Sequence, residues 1–338
     1  MILVLNCGSQ SIKWKVFNEN LKLISKNHIE ILNSSEFEKI LEEELNKIVG
    51  TQINLIGHRV VYGGEKFIKP IKITENYLNE LEKLNDLAPL HNPFNILGIR
   101  ACQRIFKDIP QFAFFDTEFF ANLPEKANTY ALPEKFGYKR HGFHGISHEY
   151  VAKQAGGKNF KKLKIITCHL GGGASITATK NGKAIDTSMG FTPLEGLVMM
   201  TRPGNLDAGI ILDLVEKLGF AKAKEILNKE SGVKGICGEG EMLKVLQIIN
   251  NKKTESPERS RRAELALDVF IYSIQKYIGS YFTILGGCDI LVFTGSIGSG
   301  SAKIRNMICK DLGILNKTKV MAIETNEELA IAQKIIKL

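Results

Sequence analysis

The sequence predicts a duplicated α/β protein, with two similar domains and a cleft between them. Its 338 residues exceed the size at which a single hydrophobic core usually keeps growing, which favours two domains. A strand, a glycine-rich turn and a returning strand occur near the N-terminus and again from residue 165. In each half, a helix then leads into a buried strand. The two halves share this order of elements, which is typical of an internal duplication.

The first copy consists of the strand ILVLN, the turn CGSQS and the strand IKWKVFN, followed by a third strand in LKLISKN. Lys13 and Lys15 alternate with apolar neighbours, as in a half-exposed hairpin. Asn92 and Pro93 can serve as the N-cap and first residue of a helix that continues through Phe106. The segment QFAFFD is predicted to be the buried strand that follows it.

The second copy has the strand IITCHL, the turn GGGAS, the strand ITATKNG and then KAIDTS. Ser256 and Pro257 are predicted to open a long amphipathic helix, which should end at Gly286 and Gly287. The strand DILVFTGSIG follows. A last helix, from about residue 327 to 338, is expected to fold back on one of the two halves.

The amino-acid composition and the distribution of charge argue against several classes of protein. Hydrophobic residues make up 44% and charged residues 24%, and no apolar run approaches the ~20 residues of a membrane helix. The N-terminus lacks the basic region of a signal peptide, which indicates a cytoplasmic protein. The six cysteines form no C-x-x-C pair, and the net charge of +9 comes from lysines spread along the chain. We therefore expect no zinc ribbon, no disulfide framework, no nucleic-acid partner and no membrane partner.

Three glycine-rich turns lie at corresponding ends of predicted strands, at residues 8–11, 171–175 and 295–301. Backbone N–H groups in such turns can bind phosphate oxygens, so the set favours a phosphate-binding role. None of them matches G-x-x-x-x-G-K-[ST], which excludes the P-loop NTPases, and no G-x-G-x-x-G opens a helix after a strand.

The segment HGFHGISH places His144 and His148 four residues apart, a spacing that allows two imidazoles to bind one metal ion on a helix. The segment offers no clear third ligand, so a zinc site is the weaker interpretation. Other polar residues lie in apolar strands or beside glycines, and their types suit phosphoryl transfer. They are Arg59, His91, Asp116, His144 and Arg202.

These motifs together resemble those of the acetokinase family, the acetate kinases, a branch of the actin and sugar-kinase superfamily. The resemblance rests on GHRVV-GGE, LAPLHNP, GFHG-SH and DTSMGFTPLEGL, and it extends from NCGSQSIK to TNEELAIA. It implies a duplicated actin-like, ribonuclease-H-like fold. The first domain would comprise residues 1–118, completed by the helix 327–338, and the second, nucleotide-binding domain would comprise residues 119–326.

The resemblance also implies roles for individual residues on the acceptor side of the reaction. Asp116 would be the active-site acid, and His144 and Arg202 would stabilise the transition state. Asn6 and Glu327 would hold Mg²⁺, or Mn²⁺ in its place. The substrate carboxylate and methyl group would be bound by Arg59, His91, Val61, Leu90, Phe143 and Pro193.

On the nucleotide side, the resemblance implies that Lys13 approaches the phosphates of ATP. The remaining nucleotide-binding residues would be His169, Leu170, Gly171, Gly172, Gly173, Glu241, Ser296, Ile297 and Gly298. Several positions here depart from the family pattern: GSIGSG stands for GGIGEN, Gly172 for an asparagine, and Glu241 and Leu243 for an aspartate and an arginine. The chain is also several tens of residues shorter than typical relatives.

The expected activity is reversible Mg²⁺-dependent phosphoryl transfer from ATP to acetate, giving acetyl phosphate and ADP. Two alternatives stay open because of the altered nucleotide side. One is an acyl kinase that uses another donor, such as pyrophosphate or a different nucleotide. The other is a pseudo-kinase that binds acyl phosphate or nucleotide without turnover. The partners would be small molecules, and the resemblance implies a homodimer.

Overall fold

The computed structural model describes residues 1–9, 11–85, 88, 91–251 and 255–338. Within these ranges, the strands are β1 (Ile2–Gly8), β2 (Ser11–Phe17), β3 (Leu23–Glu30), β4 (Leu55–Val60), β5 (Ile71–Lys72), β6 (Gln111–Phe115), β7 (Lys164–Leu170), β8 (Ala174–Lys180), β9 (Lys183–Thr187), β10 (Ile290–Thr294) and β11 (Lys319–Ala322). The helices are α1 (Phe37–Asn46), α2 (Glu75–Glu82), α3 (Asn92–Ile105), α4 (Glu125–Asn128), α5 (Gly145–Gly156), α6 (Ala208–Leu218), α7 (Phe220–Glu225), α8 (Gly232–Cys237), α9 (Met242–Asn250), α10 (Pro257–Leu285), α11 (Gly295–Gly298), α12 (Ala302–Cys309) and α13 (Glu327–Ile335).

The strands form two sheets with matching topology. The first has the order β3-β2-β1-β4-β6-β5, and the second has the order β9-β8-β7-β10-β11. In both sheets, three antiparallel strands are followed by two parallel ones. The predicted duplicated α/β fold is confirmed.

The chain divides into two compact units. The first comprises residues 1–121, 143–150 and 326–338, and the second comprises residues 122–142 and 151–325. Residues 143–150 therefore cluster with the first unit, whereas the sequence division at 118/119 assigns them to the second domain. The Gly145 N–H donates to the Asp116 carbonyl at 2.9 Å, which ties this segment to the end of β6.

In the first unit, helices cover both faces of the sheet. Leu3 and Leu5 of β1 pack on the side of α1 and α3, whereas Ile2 and Val4 pack on the side of α13. This alternation follows from the period of two in a strand. Gly57 of β4 lets α13 approach closely, because a Cβ atom there would lie 2.6 Å from Ile331 Cγ2. The C-terminal helix thus packs on the first sheet. The sequence predicts only that this helix folds back on one of the two halves.

In the second unit, the long helix α10 carries the predicted apolar stripe. Leu267, Phe270, Ile274 and Ile278 on this stripe are buried. The helix ends at Gly286 in the left-handed conformation, as predicted. In the described part of the chain, the helices are all too short or too polar to cross a membrane.

Two local predictions were wrong. Asn92 is the first residue of α3 rather than its N-cap, because its side chain hydrogen-bonds both the N–H and the carbonyl of Tyr62, at 3.1 and 3.0 Å. His91 takes the N-cap position instead. The segment DILVFTGSIG, predicted to be a strand throughout, is a strand only over Ile290–Thr294, and its last four residues form the one-turn helix α11.

His58 on β4 gives the first unit an acid-sensitive core. The ring is buried, and its Nε2 lies 2.7 Å from Gln111 Oε1. Burial lowers the pKa of His58 to about 4, although the contact with Gln111 opposes this. The unfolded chain, with a histidine pKa near ~6.5, therefore binds a proton between pH 6.5 and 4 that the folded state excludes.

Stability from this group should be fully present above about pH 6.5 and should be lost as the pH falls towards 4, by roughly 3 kcal/mol. Urea unfolding of the wild type and of His58→Gln at several pH values measures the effect. The wild type should lose the larger amount of unfolding free energy over this interval. Parallel pH profiles for the two proteins would contradict the assignment.

Candidate active site

The carboxyl ends of three parallel strands bring polar side chains together in the first unit. Asn6 on β1 pairs with Lys13 on β2 in the sheet register, and Arg59 lies near the end of β4. Arg59 is two residues after Gly57, so it points to the same face of the sheet, the face covered by α13. Asp116 directly follows β6. Crevices at the carboxyl ends of parallel strands are the usual ligand sites of α/β sheets.

Arg59 is the centre of this group. Its Nε and Nη2 donate to the two carboxylate oxygens of Asp116 at 3.1 and 2.6 Å, and its Nη1 lies 2.8 Å from Glu327 Oε2. Asp116 is completely buried. Burial alone would lower the pKa of Arg59, but the charges of Asp116 and Glu327 raise it overall. The guanidinium therefore stays charged and neutralises two buried carboxylates.

The two glutamates at the start of α13 have different environments. Burial raises the pKa of Glu327 to about 7; Arg59 opposes this shift, and the neighbouring carboxylates Asp116 and Glu328 add to it. Burial also acts on Glu328, but Lys15 at 2.9 Å keeps its pKa below the usual value. Adjacent residues of one helix thus differ in their affinity for a proton or a cation.

Asn6 lies between these glutamates. Its Nδ2 donates to Glu327 Oε2 and to Glu328 Oε1, both at 3.3 Å. The structure thus brings together Asn6 and Glu327, the residues that the resemblance assigns to Mg²⁺. Amide and carboxylate oxygens suit this ion, which usually binds one or two carboxylates together with substrate phosphates and water. Elsewhere too, the described residues show no group of three or more His, Cys, Asp or Glu side chains able to hold a metal.

His144 lies beside this group, at the start of α5. Its backbone adopts φ of +58°, which is uncommon for a residue other than glycine. The next residue, Gly145, contacts the Asp116 carbonyl so closely that a Cβ atom would lie 2.1 Å from that oxygen. His148 donates its N–H to the His144 carbonyl at 2.9 Å, so the spacing of four is helical. The contact at Gly145 fixes the position of His144 relative to Asp116.

Two buried asparagines of α3 position the predicted acetate pocket. Asn95 accepts a hydrogen bond from the N–H of Val61 at 3.0 Å and donates to the carbonyl of Cys7. Asn92 bonds Tyr62, whose ring stacks on Phe143 at 6.0 Å between centroids. The sequence analysis considers Asn92 only as a possible N-cap and does not name Asn95; the local signal is a pair of amides three residues apart at the start of α3.

Two further predicted acceptor-side residues can be located only in part. His91 stands at the N-cap position of α3, half-buried. Leu90 lies outside the described residues.

In the second unit, Arg202 and Pro193 are in contact. Arg202 Nη1 donates to the Pro193 carbonyl at 2.7 Å. Among the described residues of its unit, Arg202 has no carboxylate partner, and burial lowers its pKa to about 10. It remains cationic at neutral pH, so an anion would supply the missing counter-charge.

The predicted nucleotide-binding turns also lie together in this unit. Gly171 N–H donates to the Gly173 carbonyl at 2.9 Å, and a Cβ atom on Gly171 would lie 3.4 Å from Ser296 Oγ. A Cβ atom on Gly295 would lie 2.5 Å from the carbonyl of Leu170, so the turns at 169–173 and 295–298 pack directly. Ile297 and Gly298 are buried, while Gly172 is exposed.

Glu241, the remaining predicted nucleotide-binding residue, lies at the surface, unlike the packed turns. It stands at the N-cap position of α9, exposed to solvent, and its carboxylate forms an ion pair with Lys244 at 2.6 Å. Its predicted contact with a nucleotide stays a prediction.

Known proteins of one family are similar to this chain over most of its length. A model of the acetokinase family matches residues 36–316. The acetate kinase of Carboxydothermus hydrogenoformans is 41% identical over 399 aligned positions, covering 100% of this chain and 98% of the relative. The alignment is longer than the 338-residue chain, which lacks segments that the relative has.

Solved structures give the same result. The acetate kinase of Porphyromonas gingivalis matches with a TM-score of 0.87 and 34% identity, covering 99% of this chain and 98% of that one. A propionate kinase of Francisella tularensis subsp. tularensis matches with a TM-score of 0.88 and 37% identity, covering 98% of each chain.

Proposed function

Because this chain belongs to the acetokinase family and acts as an acetate kinase, we propose that its first unit binds the acceptor carboxylate and its second unit binds the phosphoryl donor. The observation that carries this assignment is the position of Arg59. One guanidinium joins the proposed active-site acid Asp116 to the proposed metal ligand Glu327. Guanidinium groups bind carboxylates bidentately, so acetate can take the place of one of these carboxylates.

In the proposed reaction, a carboxylate oxygen of acetate attacks the terminal phosphorus of the donor in line with the leaving oxygen. The P–O bond to the leaving group breaks, and acetyl phosphate and ADP form when ATP is the donor. Arg59 holds the acceptor, and His144 and Arg202 donate hydrogen bonds to the equatorial oxygens of the transferred group. Positioning and charge neutralisation supply the rate enhancement.

Asn6 and Glu327 would hold Mg²⁺, or Mn²⁺ in its place. When bound, the ion supplies positive charge next to the phosphate oxygens of the donor. The pKa of Glu327, raised to about 7, supports this role, because a buried carboxylate beside two others is stabilised by a cation.

The second candidate function is an acyl kinase that uses a phosphoryl donor other than ATP. Two residues of the second unit favour this candidate. Ser299 replaces an acid of the family pattern, and its Oγ donates to the Gly295 carbonyl at 2.8 Å. Its hydroxyl is therefore used within the loop. Glu241 is paired with Lys244 at the surface. The family uses ATP as co-substrate, and these two sites are where this chain would differ.

The test is formation of acyl phosphate, trapped as the hydroxamate, from acetate and Mg²⁺. ATP, GTP and pyrophosphate are offered separately. Turnover with ATP supports the first proposal, and turnover with another donor alone supports the second. Absence of product with every donor and with both acetate and propionate would reject both and favour a non-catalytic binding protein.

We also propose a cytoplasmic homodimer of about 75 kDa. Helix α6 supports the dimer, because none of its residues is buried although it contains Ile210, Ile211 and Leu212. Exposed apolar surface of this kind is typical of a subunit interface. Sedimentation of the full chain at micromolar concentration gives the mass; a monomer of 37.6 kDa would contradict this part of the proposal.

A further inference from the structure

A half-buried arginine in the second unit lies outside the proposed reaction site. Arg140 donates from Nη2 to Glu195 Oε1 at 2.6 Å and from Nε to the carbonyl of Ala127 at 3.1 Å. Its Nη1 donates to the carbonyls of Thr187 and Met189, both at 3.3 Å. One planar guanidinium thus connects the segment before α5 to three positions between residues 187 and 195, at the end of β9 and in the loop that follows it.

Tyr130 completes this group from the other side of the carboxylate. Its hydroxyl donates to Glu195 Oε2 and accepts a hydrogen bond from the N–H of Phe191 at 2.8 Å. Its ring lies 5.3 Å from the Arg140 guanidinium. There is no room for a side chain at Gly190, where a Cβ atom would lie 1.7 Å from Glu195 Oε2 and 2.0 Å from the Tyr130 oxygen. We call Arg140, Glu195 and Tyr130 the Arg140 brace.

The brace is connected to Arg202 through the loop itself. Glu195 is two residues after Pro193, whose carbonyl accepts the hydrogen bond from Arg202 Nη1 at 2.7 Å. The backbone of Arg202 is also held, because its carbonyl accepts from the N–H of Met199 at 3.0 Å. Since no carboxylate among the described residues of this unit pairs with Arg202, the Pro193 carbonyl is the acceptor that sets the direction of its side chain.

We propose that Arg140 and Glu195 are positioning residues for Arg202. They fix the loop at 187–195 so that the Pro193 carbonyl orients the Arg202 guanidinium towards the transferred phosphoryl group. This inference rests on the proposed role of Arg202 in the reaction. Pre-organised donors stabilise a transition state best when their own position is held by packing and hydrogen bonds, and a misplacement of about 1 Å can cost ~100-fold in rate.

The test is a double-mutant cycle in the full chain. Glu195→Gln should lower kcat about 30-fold while changing the KM for acetate and for the donor less than about 3-fold. In the Arg202→Ala background, Glu195→Gln should lower the residual activity less than about 2-fold, because the group that it positions is already absent. A full 30-fold loss in both backgrounds would overturn the proposal, and so would an unchanged kcat in Glu195→Gln.

Two further variants serve as a control and as a substitute for Glu195→Gln. Glu225→Gln removes an exposed carboxylate paired with Lys222 at 2.9 Å, and it should leave kcat unchanged. If Glu195→Gln does not fold, Tyr130→Phe replaces it in the cycle, because it removes only the hydroxyl that holds Glu195 and Phe191. If Arg202→Ala alone retains full activity, the proposed role of Arg202 fails, whatever the effect of Glu195.

Discussion

Replacing Arg59 with glutamine is expected to lower kcat/KM for acetate by about 1,000-fold or more. The change removes the proposed carboxylate ligand, and it also leaves Asp116 and Glu327 buried without their shared counter-charge. Breaking a buried ion pair from one side costs about 3–5 kcal/mol of folding free energy. Steady-state kinetics and urea unfolding at pH 8 measure the two effects.

The pH dependence of stability shows whether Arg59→Gln destabilises the fold through the lost charge or through lost packing. Without the guanidinium, the charge that opposes the raised pKa of Glu327 is lost, so protonation of this carboxylate should stabilise the fold. The destabilisation by Arg59→Gln should therefore be smaller at pH 5.5 than at pH 8. Arg59→Lys keeps the charge but loses the two-point contact with Asp116, and we expect it to recover stability more than activity. Equal destabilisation at the two pH values would contradict the charge argument.

Gly145→Ala is the second change with a large expected effect. The added methyl group would lie 2.1 Å from the Asp116 carbonyl, a backbone atom that cannot rotate away. Either the end of β6 or the start of α5 must move, and both carry a proposed catalytic residue. We expect a loss of about 3 kcal/mol in unfolding free energy and of at least ~100-fold in kcat.

Gly279→Ala is the matched control. Gly279 lies within α10, and a Cβ atom there would meet no heavy atom within 4 Å. Alanine should stabilise the helix by up to ~1 kcal/mol and leave kcat unchanged. If Gly145→Ala behaved like this control, the close contact between α5 and Asp116 would not be needed for activity.

The features predictable from the sequence were those fixed by local chemistry. Apolar runs joined by glycine-rich turns predict the hairpins β1–β2 and β7–β8, and Gly286 ends α10 because it tolerates the left-handed conformation. The grouping of residues 143–150 with the first unit was not predictable, because it depends on contacts with distant segments, such as those of Gly145 with Asp116 and of Ile146 with Phe114.

The same holds for the predicted site, where local motifs could be recognised but contacts between distant residues could not. Arg59 and Asp116 belong to recognisable motifs, and the structure brings them together. Lys15 and Glu328, which orient Asn6, are separated by more than 300 residues, and neither stands out in its own segment. Asn92 and Asn95 act through hydrogen bonds to backbone groups of other segments, and their spacing at the start of α3 does not identify those partners.

The position of α13 has a consequence for synthesis of the protein. The helix covers the face formed by Ile2, Val4 and Phe114 and brings Glu327 to Arg59. During translation this apolar face stays uncovered until the residues of α13 have left the ribosome, although its strands are made first. The nascent chain should therefore be prone to aggregation, and Arg59 should lack its Glu327 partner, until α13 has been synthesised.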